Sequence, residues 1–116
     1  MAAEVSYDDI NQVIRVRAYG DEAIEDWEAS KERVMQLNSE HACSRVLVDA
    51  REQQSAPTVS DLFDFAINWP RTIRVAKLVG SKTREAQGFV EMVAVNRGIP
   101  MKDFTEESEA MVWLDK

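Results

Sequence analysis

One stretch near the middle of the chain constrains the fold more than any other. The mostly apolar residues 45–49 are typical of a buried strand, and the polar residues 52–57 that follow are typical of a loop. Behind them, residues 58–69 carry apolar side chains at the spacing of one helix face. A strand, a loop and a helix in this order predict an α/β fold. In such folds ligands and partners bind at the carboxyl edge of the sheet, so we expect the functional site there.

The chain has the length and composition of one globular domain. It has 116 residues, of which 45% are apolar, so it can bury a core without disulfides or metals, and we predict a single domain over residues 1–116. The only cysteine, Cys43, fits a reducing compartment. The first four residues lack the features of a signal peptide, and no apolar run is long enough to span a bilayer. These observations predict a cytoplasmic protein without a membrane span.

Acidic side chains outnumber basic ones. Fourteen Lys and Arg residues stand against 21 Asp and Glu residues, which gives a formal net charge of −7. This negative charge disfavours non-specific attraction to the phosphates of nucleic acids and anionic lipids. We therefore expect no nucleic-acid partner.

Hydrophobic periodicity predicts the order of the secondary-structure elements. Two strands at residues 5–8 and 13–19 form a hairpin, and a first helix follows at residues 21–37. After the central stretch come a strand at 74–80, a helix at 85–96 that is stopped by Gly98 and Pro100, a short strand at 101–104 and a last helix capped by Thr105. The predicted order is ββαβαβαβα.

This order also implies a sheet topology. Helices between consecutive strands require right-handed parallel crossovers. We therefore predict a five-stranded, mostly parallel sheet with an antiparallel first strand and four helices packed mainly on one face. Alternation in the second strand places Arg15 and Arg17 on the opposite, partly wet face. We assign Lys77, within the fourth strand, to that wet face as well.

Three segments of the sequence resemble a known family. They are the strand RVLVDAR, the later strand RVAKLVG and the ending NRGIPMKDFTEESEAMVWL. Together they resemble the small bacterial proteins of the SpoIIAA-like group, which are related to STAS domains, and the ending is the most specific of the three. The resemblance implies a non-enzymatic fold used for protein–protein regulation, or in some relatives for holding a small or lipid-like ligand.

Two hydroxyl side chains, Thr58 and Ser60, lie at the start of the second predicted helix. In the anti-sigma factor antagonists that the chain resembles, a phosphorylatable serine occupies this place within an Asp-Ser-Ser-Gly sequence. That sequence is absent here, where residues 57–61 read Pro-Thr-Val-Ser-Asp. The resemblance makes Thr58 and Ser60 candidates for phosphorylation. The alternative is that Thr58 caps the helix together with Asp61.

A candidate anion site follows the fourth strand, directly before the third helix. It consists of Ser81, Lys82, Thr83 and Arg84. Their hydroxyls and cations, together with the N–H groups of the helix start, suit an anion such as phosphate. The alternative is a solvated loop with a helix cap. Arg51, from the neighbouring loop, either joins this site or pairs with Asp49.

The sequence argues against catalytic and metal sites. His41 is the only histidine, and its predicted place at the amino edge of the sheet is far from the loops that form α/β sites. The acidic residues are scattered over helix faces and lack the spacing of metal ligands. We predict no enzymatic activity, no metal and no cofactor.

Three apolar side chains, Phe63, Ile67 and Met92, fall off the main stripes of the second and third helices. They are candidates for a contact surface, and packing between helices is the alternative. We predict a non-catalytic regulatory interaction module that binds a protein partner, or itself as a homodimer, through these helices. The alternative function is a carrier or sensor of a small anionic or lipid-like ligand at the carboxyl edge of the sheet, near Arg51, Thr58 and residues 81–84.

Overall fold

The computed structural model describes residues 3–116, which form five strands and four helices. The strands are β1 (Ala3–Asp8), β2 (Val13–Asp21), β3 (Arg45–Ser55), β4 (Arg74–Val79) and β5 (Met101–Phe104). The helices are α1 (Ile24–His41), α2 (Val59–Ile67), α3 (Arg84–Asn96) and α4 (Glu107–Leu114). The order ββαβαβαβα is as predicted. Met1 and Ala2, on which the signal-peptide prediction partly rests, lie outside the described residues.

The strands form one sheet in the order β1-β2-β3-β4-β5. β1 pairs antiparallel with β2 and the other neighbours are parallel, which confirms the predicted topology. The hairpin between β1 and β2 closes on Asp8, whose Oδ1 accepts hydrogen bonds from the backbone N–H groups of Ile10 and Asn11, each at 3.1 Å. An Asp that binds the backbone two or three residues further on stabilises a tight turn, so this turn sets the register of the pair locally.

The two faces of the sheet are covered differently. Helices α1, α2 and α3 pack on one face, which we call the helix-rich face, and their buried residues form the main core with Ile14, Val46 and Val75. Helix α4 packs on the opposite face over Leu47 and Leu78. Successive strand residues point to opposite faces, so each strand contributes to both cores. The predicted packing of helices mainly on one face is confirmed, because three of the four lie there.

Two arginines of the sheet orient α4. The Nη2 of Arg74 donates to the carbonyl of Trp113 at 2.8 Å, and its guanidinium carbon lies 4.2 Å from the centre of the indole ring. Arg15 of β2 forms an ion pair with Glu107 at 3.5 Å. Contacts of this kind contribute about 0.5–1 kcal/mol each. They therefore orient the helix, while burial of its apolar side chains supplies most of the attachment energy.

Strand β3 extends to Ser55 and does not end at Asp49 as predicted. The polar segment that we assigned to a loop continues to pair with β2, which itself runs to Asp21. The extension of β2 offers partners for the backbone groups of this segment. Its side chains alternate, so that Glu52 is exposed while Gln53 points inward and is only 1% exposed. A buried glutamine was thus mistaken for part of a polar loop.

Two helix starts also differ from the prediction. Helix α1 begins at Ile24, after Ala23, whose backbone N–H donates to Oδ2 of Asp26 at 2.9 Å. Helix α4 follows Glu106, and Thr105 does not cap it. Acidic side chains are favourable throughout the first turn of a helix, so they mark its neighbourhood and not its first residue.

Gly80, directly after β4, has no room for a side chain. A Cβ atom there would lie 2.6 Å from the carbonyl oxygen of Arg51 in β3. That backbone atom cannot move without disturbing the pairing of β3 with β4. We predict that Gly80→Ala lowers the free energy of unfolding by about 1–3 kcal/mol, measured by urea denaturation.

Gly88→Ala is the matched control in α3. A Cβ atom at Gly88 would meet no other atom within 4 Å. Alanine favours the helix, so this variant should be more stable than the parent chain by up to about 1 kcal/mol. If Gly80→Ala were as stable as Gly88→Ala, the steric explanation for Gly80 would be wrong.

Candidate functional site

A cavity of about 80 Å³ lies between the helix-rich face of the sheet and helices α1, α2 and α3. We call it the central cavity. Its aliphatic lining consists of Val16, Ala18, Val34, Val46, Val48, Ala66, Val75, Val90 and Met101. Its polar lining residues are Glu22, Ser30, Lys31, Lys77 and Gln87. A mostly apolar pocket with a few convergent polar groups is the usual form of a small-ligand site.

Lys77 lies in the wall of this cavity, and our assignment of it to the wet face of the sheet was wrong. It is only 4% exposed. Its Nζ donates to the carbonyl oxygen and to Oε1 of Gln87, each at 3.0 Å, and lies 3.2 Å from Oδ1 of Asp103. Three acceptors therefore surround an ammonium group that has three donors. Strand alternation places Lys77 on the face of Val75, and these partners make its burial tolerable.

The side chain of Gln87 continues the hydrogen bonding towards β3 and β2. Its Nε2 donates to Oε1 of Gln53 at 2.8 Å, and Nε2 of Gln53 donates to Oε1 of Glu22 at 2.6 Å. The same Glu22 oxygen accepts from the indole N–H of Trp27 at 3.2 Å. Each amide turns its oxygen towards Lys77 and its nitrogen towards Glu22, because an ammonium group can only donate hydrogen bonds and a carboxylate can only accept them. We call this row the buried polar chain; its members are Asp103, Lys77, Gln87, Gln53, Glu22 and Trp27.

Burial shifts the protonation equilibria of the charged members of the buried polar chain. It lowers the pKa of Lys77, and the carboxylate of Asp103 opposes that shift. It raises the pKa of Asp103 to about 6, although the charge of Lys77 opposes this shift. It raises the pKa of Glu22 to about 7, and the hydrogen bonds from Gln53 and Trp27 offset only part of the effect. Lys77 and Asp103 compensate each other, whereas Glu22 has hydrogen-bond donors alone.

Three aromatic rings form one wall of the central cavity. They are Trp27 of α1, Phe65 of α2 and Trp69, two residues after α2 ends. The Phe65 ring stands edge-to-face to both indoles, with interplanar angles of 71° and 72°. The Nζ of Lys31 lies 5.9 Å from the centre of the Phe65 ring and donates to the carbonyl of Asn68 at 3.1 Å. Lys31 is partly exposed, so the cavity reaches the surface between α1 and α2.

The residues of the predicted anion site differ in their partners and in their exposure to solvent. The guanidinium of Arg51 binds Asp49 in a bidentate pair, at 2.8 and 2.9 Å, which is the second of the two alternatives stated for it. Three of the loop residues are exposed, namely Ser81, Lys82 and Arg84. Thr83 is buried, and within the described part of the chain its hydroxyl has no hydrogen-bond partner. Anion binding by residues 81–84 therefore stays a prediction, without the help of Arg51.

The two hydroxyls at the start of α2 have different roles in the structure. Thr58 is the N-cap, and its hydroxyl accepts a hydrogen bond from the backbone N–H of Asp61 at 3.3 Å. Ser60 is exposed in the first turn. The cap engages Thr58 and leaves Ser60 accessible. Phosphorylation of either residue stays a prediction.

The candidate contact residues differ in how accessible they are. Phe63 is 37% exposed and Met92 is 54% exposed, whereas Ile67 packs partly against the main core. Two further apolar side chains on these helices are exposed and were not predicted from the sequence: Val59 of α2 at 66% and Val95 of α3 at 54%. Val59 precedes the main apolar stripe of α2, and Val95 follows that of α3. This position outside the stripe is the signal that would have revealed them.

His41 ends α1, and its ring stacks on the ring of Tyr7 with 3.8 Å between the centres. Within residues 3–116, no group of three or more His, Cys, Asp or Glu side chains is placed to hold a metal ion. None of the helices in the same range has the length and apolar character needed to cross a membrane.

Lys77→Met tests the buried polar chain, because it leaves the Asp103 carboxylate buried without a counter-charge. We predict that the free energy of unfolding at pH 7 falls by about 3–5 kcal/mol, measured by urea denaturation. Adding Asp103→Asn removes the unpaired charge, so the double variant should be more stable than Lys77→Met alone. A double variant at or below the stability of the single variant would show that the two groups are not paired.

Comparisons with known proteins address the fold. No protein-family model matches the chain, and no curated protein matches it in sequence. A solved structure is similar to it: an uncharacterized protein of the DUF3478 family with a SpoIIAA-like fold, from Shewanella loihica PV-4. The TM-score is 0.64 at 15% sequence identity, and the match covers 97% of this chain and 92% of that one. The resemblance inferred from the sequence is thus confirmed at the level of the fold, which is SpoIIAA-like.

Proposed function

We propose that this chain is a non-catalytic regulatory module that binds a protein partner, or a second copy of itself, through α2 and α3. The binding surface consists of the exposed apolar side chains of these helices: Val59, Phe63, Met92 and Val95. We call it the α2–α3 face. The exposure of these four side chains on two helices that pack together is the observation that carries the proposal.

The α2–α3 face has the composition of a protein interface. An aromatic ring and a methionine stand among smaller apolar groups, and both types are enriched where proteins bind each other. The guanidinium of Arg97 lies 5.2 Å from the centre of the Phe63 ring, so a cationic group adjoins the apolar surface. Apolar side chains that are exposed together in a chain of net charge −7 are candidates for burial against a partner.

The fold supports a regulatory function over an enzymatic one. A SpoIIAA-like fold suggests a STAS-type regulatory domain. The described residues also offer no nucleophile, base and orienting acid within contact of one another, because His41 stacks on Tyr7 and Cys43 is buried. We place the protein in the cytoplasm, because a free cysteine such as Cys43 is typical of a reducing compartment.

Ser60 gives this proposal a place for regulation. It is exposed in the first turn of α2, one residue after Val59 of the α2–α3 face. A phosphate there would lie near the positive end of the helix dipole and would add charge beside an apolar surface. Phosphorylation at Ser60 would therefore weaken an apolar contact without unfolding the helix.

A second candidate function is the binding of a small ligand, and the central cavity favours it. The cavity is lined by Val46 and Val48 of β3 and by Val75 of β4, so it lies beneath the body of the sheet and not at the carboxyl edge, where the sequence predicted a ligand. Its lining residues differ from those predicted, since Arg51 and residues 81–84 do not contribute. A mostly apolar ligand with one polar group fits this lining better than an anion held by the exposed loop.

Met92→Glu tests the α2–α3 face, because it places a charge at one of its exposed apolar side chains. If the chain self-associates, light scattering coupled to size-exclusion chromatography should show a dimer whose dissociation constant rises at least about tenfold in this variant. For a different partner, a photo-crosslinking amino acid at position 92 should give one defined adduct in the native cell.

Val112→Glu is the control, because Val112 is 62% exposed on α4, over the opposite face of the sheet. It should leave the dissociation constant unchanged, and a crosslinker at position 112 should give no adduct. A strict monomer at high micromolar concentration together with no adduct from position 92 would refute the proposed function, as would equal weakening by both variants.

A further inference from the structure

We propose that the central cavity binds a small organic cation, such as an alkylated ammonium group, with the Glu22 carboxylate as its counter-charge. This inference rests on the second candidate function, small-ligand binding, and adds the charge of the ligand. Three features of the lining carry it: a buried carboxylate with one open oxygen, a lysine that is already paired with a carboxylate of the chain, and an aromatic wall.

Glu22 supplies the open oxygen. The residue is 6% exposed, and both hydrogen bonds that it accepts, from Gln53 and Trp27, end on Oε1. Among residues 3–116, no group donates to Oε2 and no Lys, Arg or His forms an ion pair with this carboxylate. A buried carboxylate without a cation is unfavourable, and its pKa of about 7 follows from the same isolation. A bound ammonium group would supply the missing charge.

Lys77 does not serve as a binding group for an anion. Its ammonium group donates to the two oxygens of Gln87 and forms an ion pair with Asp103 at 3.2 Å. The other cation at the cavity is Lys31, which is held at the rim by the carbonyl of Asn68. An anionic ligand would therefore have to break the buried polar chain or displace Lys31. It would also lie next to Glu22, whose charge would repel it.

The aromatic wall suits a cation. Trp27, Phe65 and Trp69 line the same cavity as Glu22, and the Phe65 ring is nearly perpendicular to both indoles. A cation that lies over the face of one of these rings is attracted by the π electrons. Lys31 already lies within 5.9 Å of the Phe65 centre, so a cation is accommodated beside this ring. Aromatic cages are a known means of binding alkylated ammonium groups.

The size of the cavity limits the ligand. Its volume is about 80 Å³, whereas a cavity of about 150 Å³ accommodates benzene. A group of about four heavy atoms, such as a trimethylammonium group, is of suitable size. The hydroxyl of Ser30, which lines the cavity and has no partner among the described residues, offers one further polar contact.

Neighbouring charges act in opposite directions on such a cation. Asp26 of α1 lies close enough to raise the pKa of Glu22 and adds negative potential. Lys31 of α1 and Lys77 of β4 add positive potential. Asp103 of β5 compensates the charge of Lys77. Lys31 is thus the charge that opposes ligand binding. Its removal should strengthen the binding of a cation and weaken the binding of an anion.

Three probes of the same shape and different charge test the proposal. They are choline, its neutral carbon isostere 3,3-dimethylbutan-1-ol, and the anion 3,3-dimethylbutanoate. Binding is followed by the indole N–H signals in ¹H–¹⁵N NMR spectra of the full chain. Choline should shift the signals of Trp27 and Trp69 and bind at least about tenfold more tightly than the neutral isostere. Trp113, on the opposite face of the sheet, is the internal control.

Two variants identify the groups involved. Glu22→Gln keeps an acceptor for Gln53 and Trp27 and loses the charge, so its spectrum should remain that of a folded chain while its affinity for choline falls at least about tenfold. Lys31→Met should raise the affinity for choline about threefold. Unchanged binding of choline to a folded Glu22→Gln variant would overturn the assignment of Glu22.

The probes separate this inference from the function on which it rests. If the neutral isostere or the anion bound as tightly as choline, the cavity would still be a ligand site, but the inferred charge of the ligand would be wrong. If none of the three probes shifted Trp27 or Trp69, both the cation site and the ligand-binding function would be overturned. Neither outcome would affect protein binding by the α2–α3 face.

Discussion

The buried ammonium group of Lys77 is the interaction on which the helix-rich side of the protein depends. An ammonium in the interior is tolerated only where acceptors surround it, and here they come from Gln87 of α3 and Asp103 of β5. The amide of Gln87 then orients Gln53, which in turn binds Glu22 ahead of α1. Elements that are distant in sequence therefore fix one another. Substituting one member alone would leave a buried polar group unpaired, which is why the members act as a unit.

Helix α2 connects the two proposed sites. Its inner side contributes Phe65 and Ala66 to the central cavity, and its outer side contributes Val59 and Phe63 to the α2–α3 face. The helix has only nine residues, and its start is held by the Thr58 cap. A ligand beneath α2 and a protein above it would thus contact the same short element. This arrangement is compatible with a regulatory module in which small-ligand binding and protein binding are linked.

The sequence predicted the elements well because each depends on local patterns. The apolar runs marked the strands, Thr58 marked the start of α2, and Gly98 with Pro100 marked the end of α3. The buried polar chain could not be predicted in this way. Its members look like isolated polar residues in sequence, and only the tertiary fold brings them together. The one available signal was Lys77 between apolar neighbours in β4, which strand alternation alone would have placed beside Val75 on the core side.

The state of the Glu22 carboxyl group tests most directly whether the cavity holds an uncompensated charge that awaits a cation. Its titration can be followed by ¹³C NMR of the side-chain carboxyl, with Glu22→Gln to assign the signal. We predict a pKa of about 7 in the free protein and a lower value with bound choline, because a neighbouring cation favours the ionised form. A pKa near the ordinary value of 4.5, or one that saturating choline leaves unchanged, would contradict the cation site.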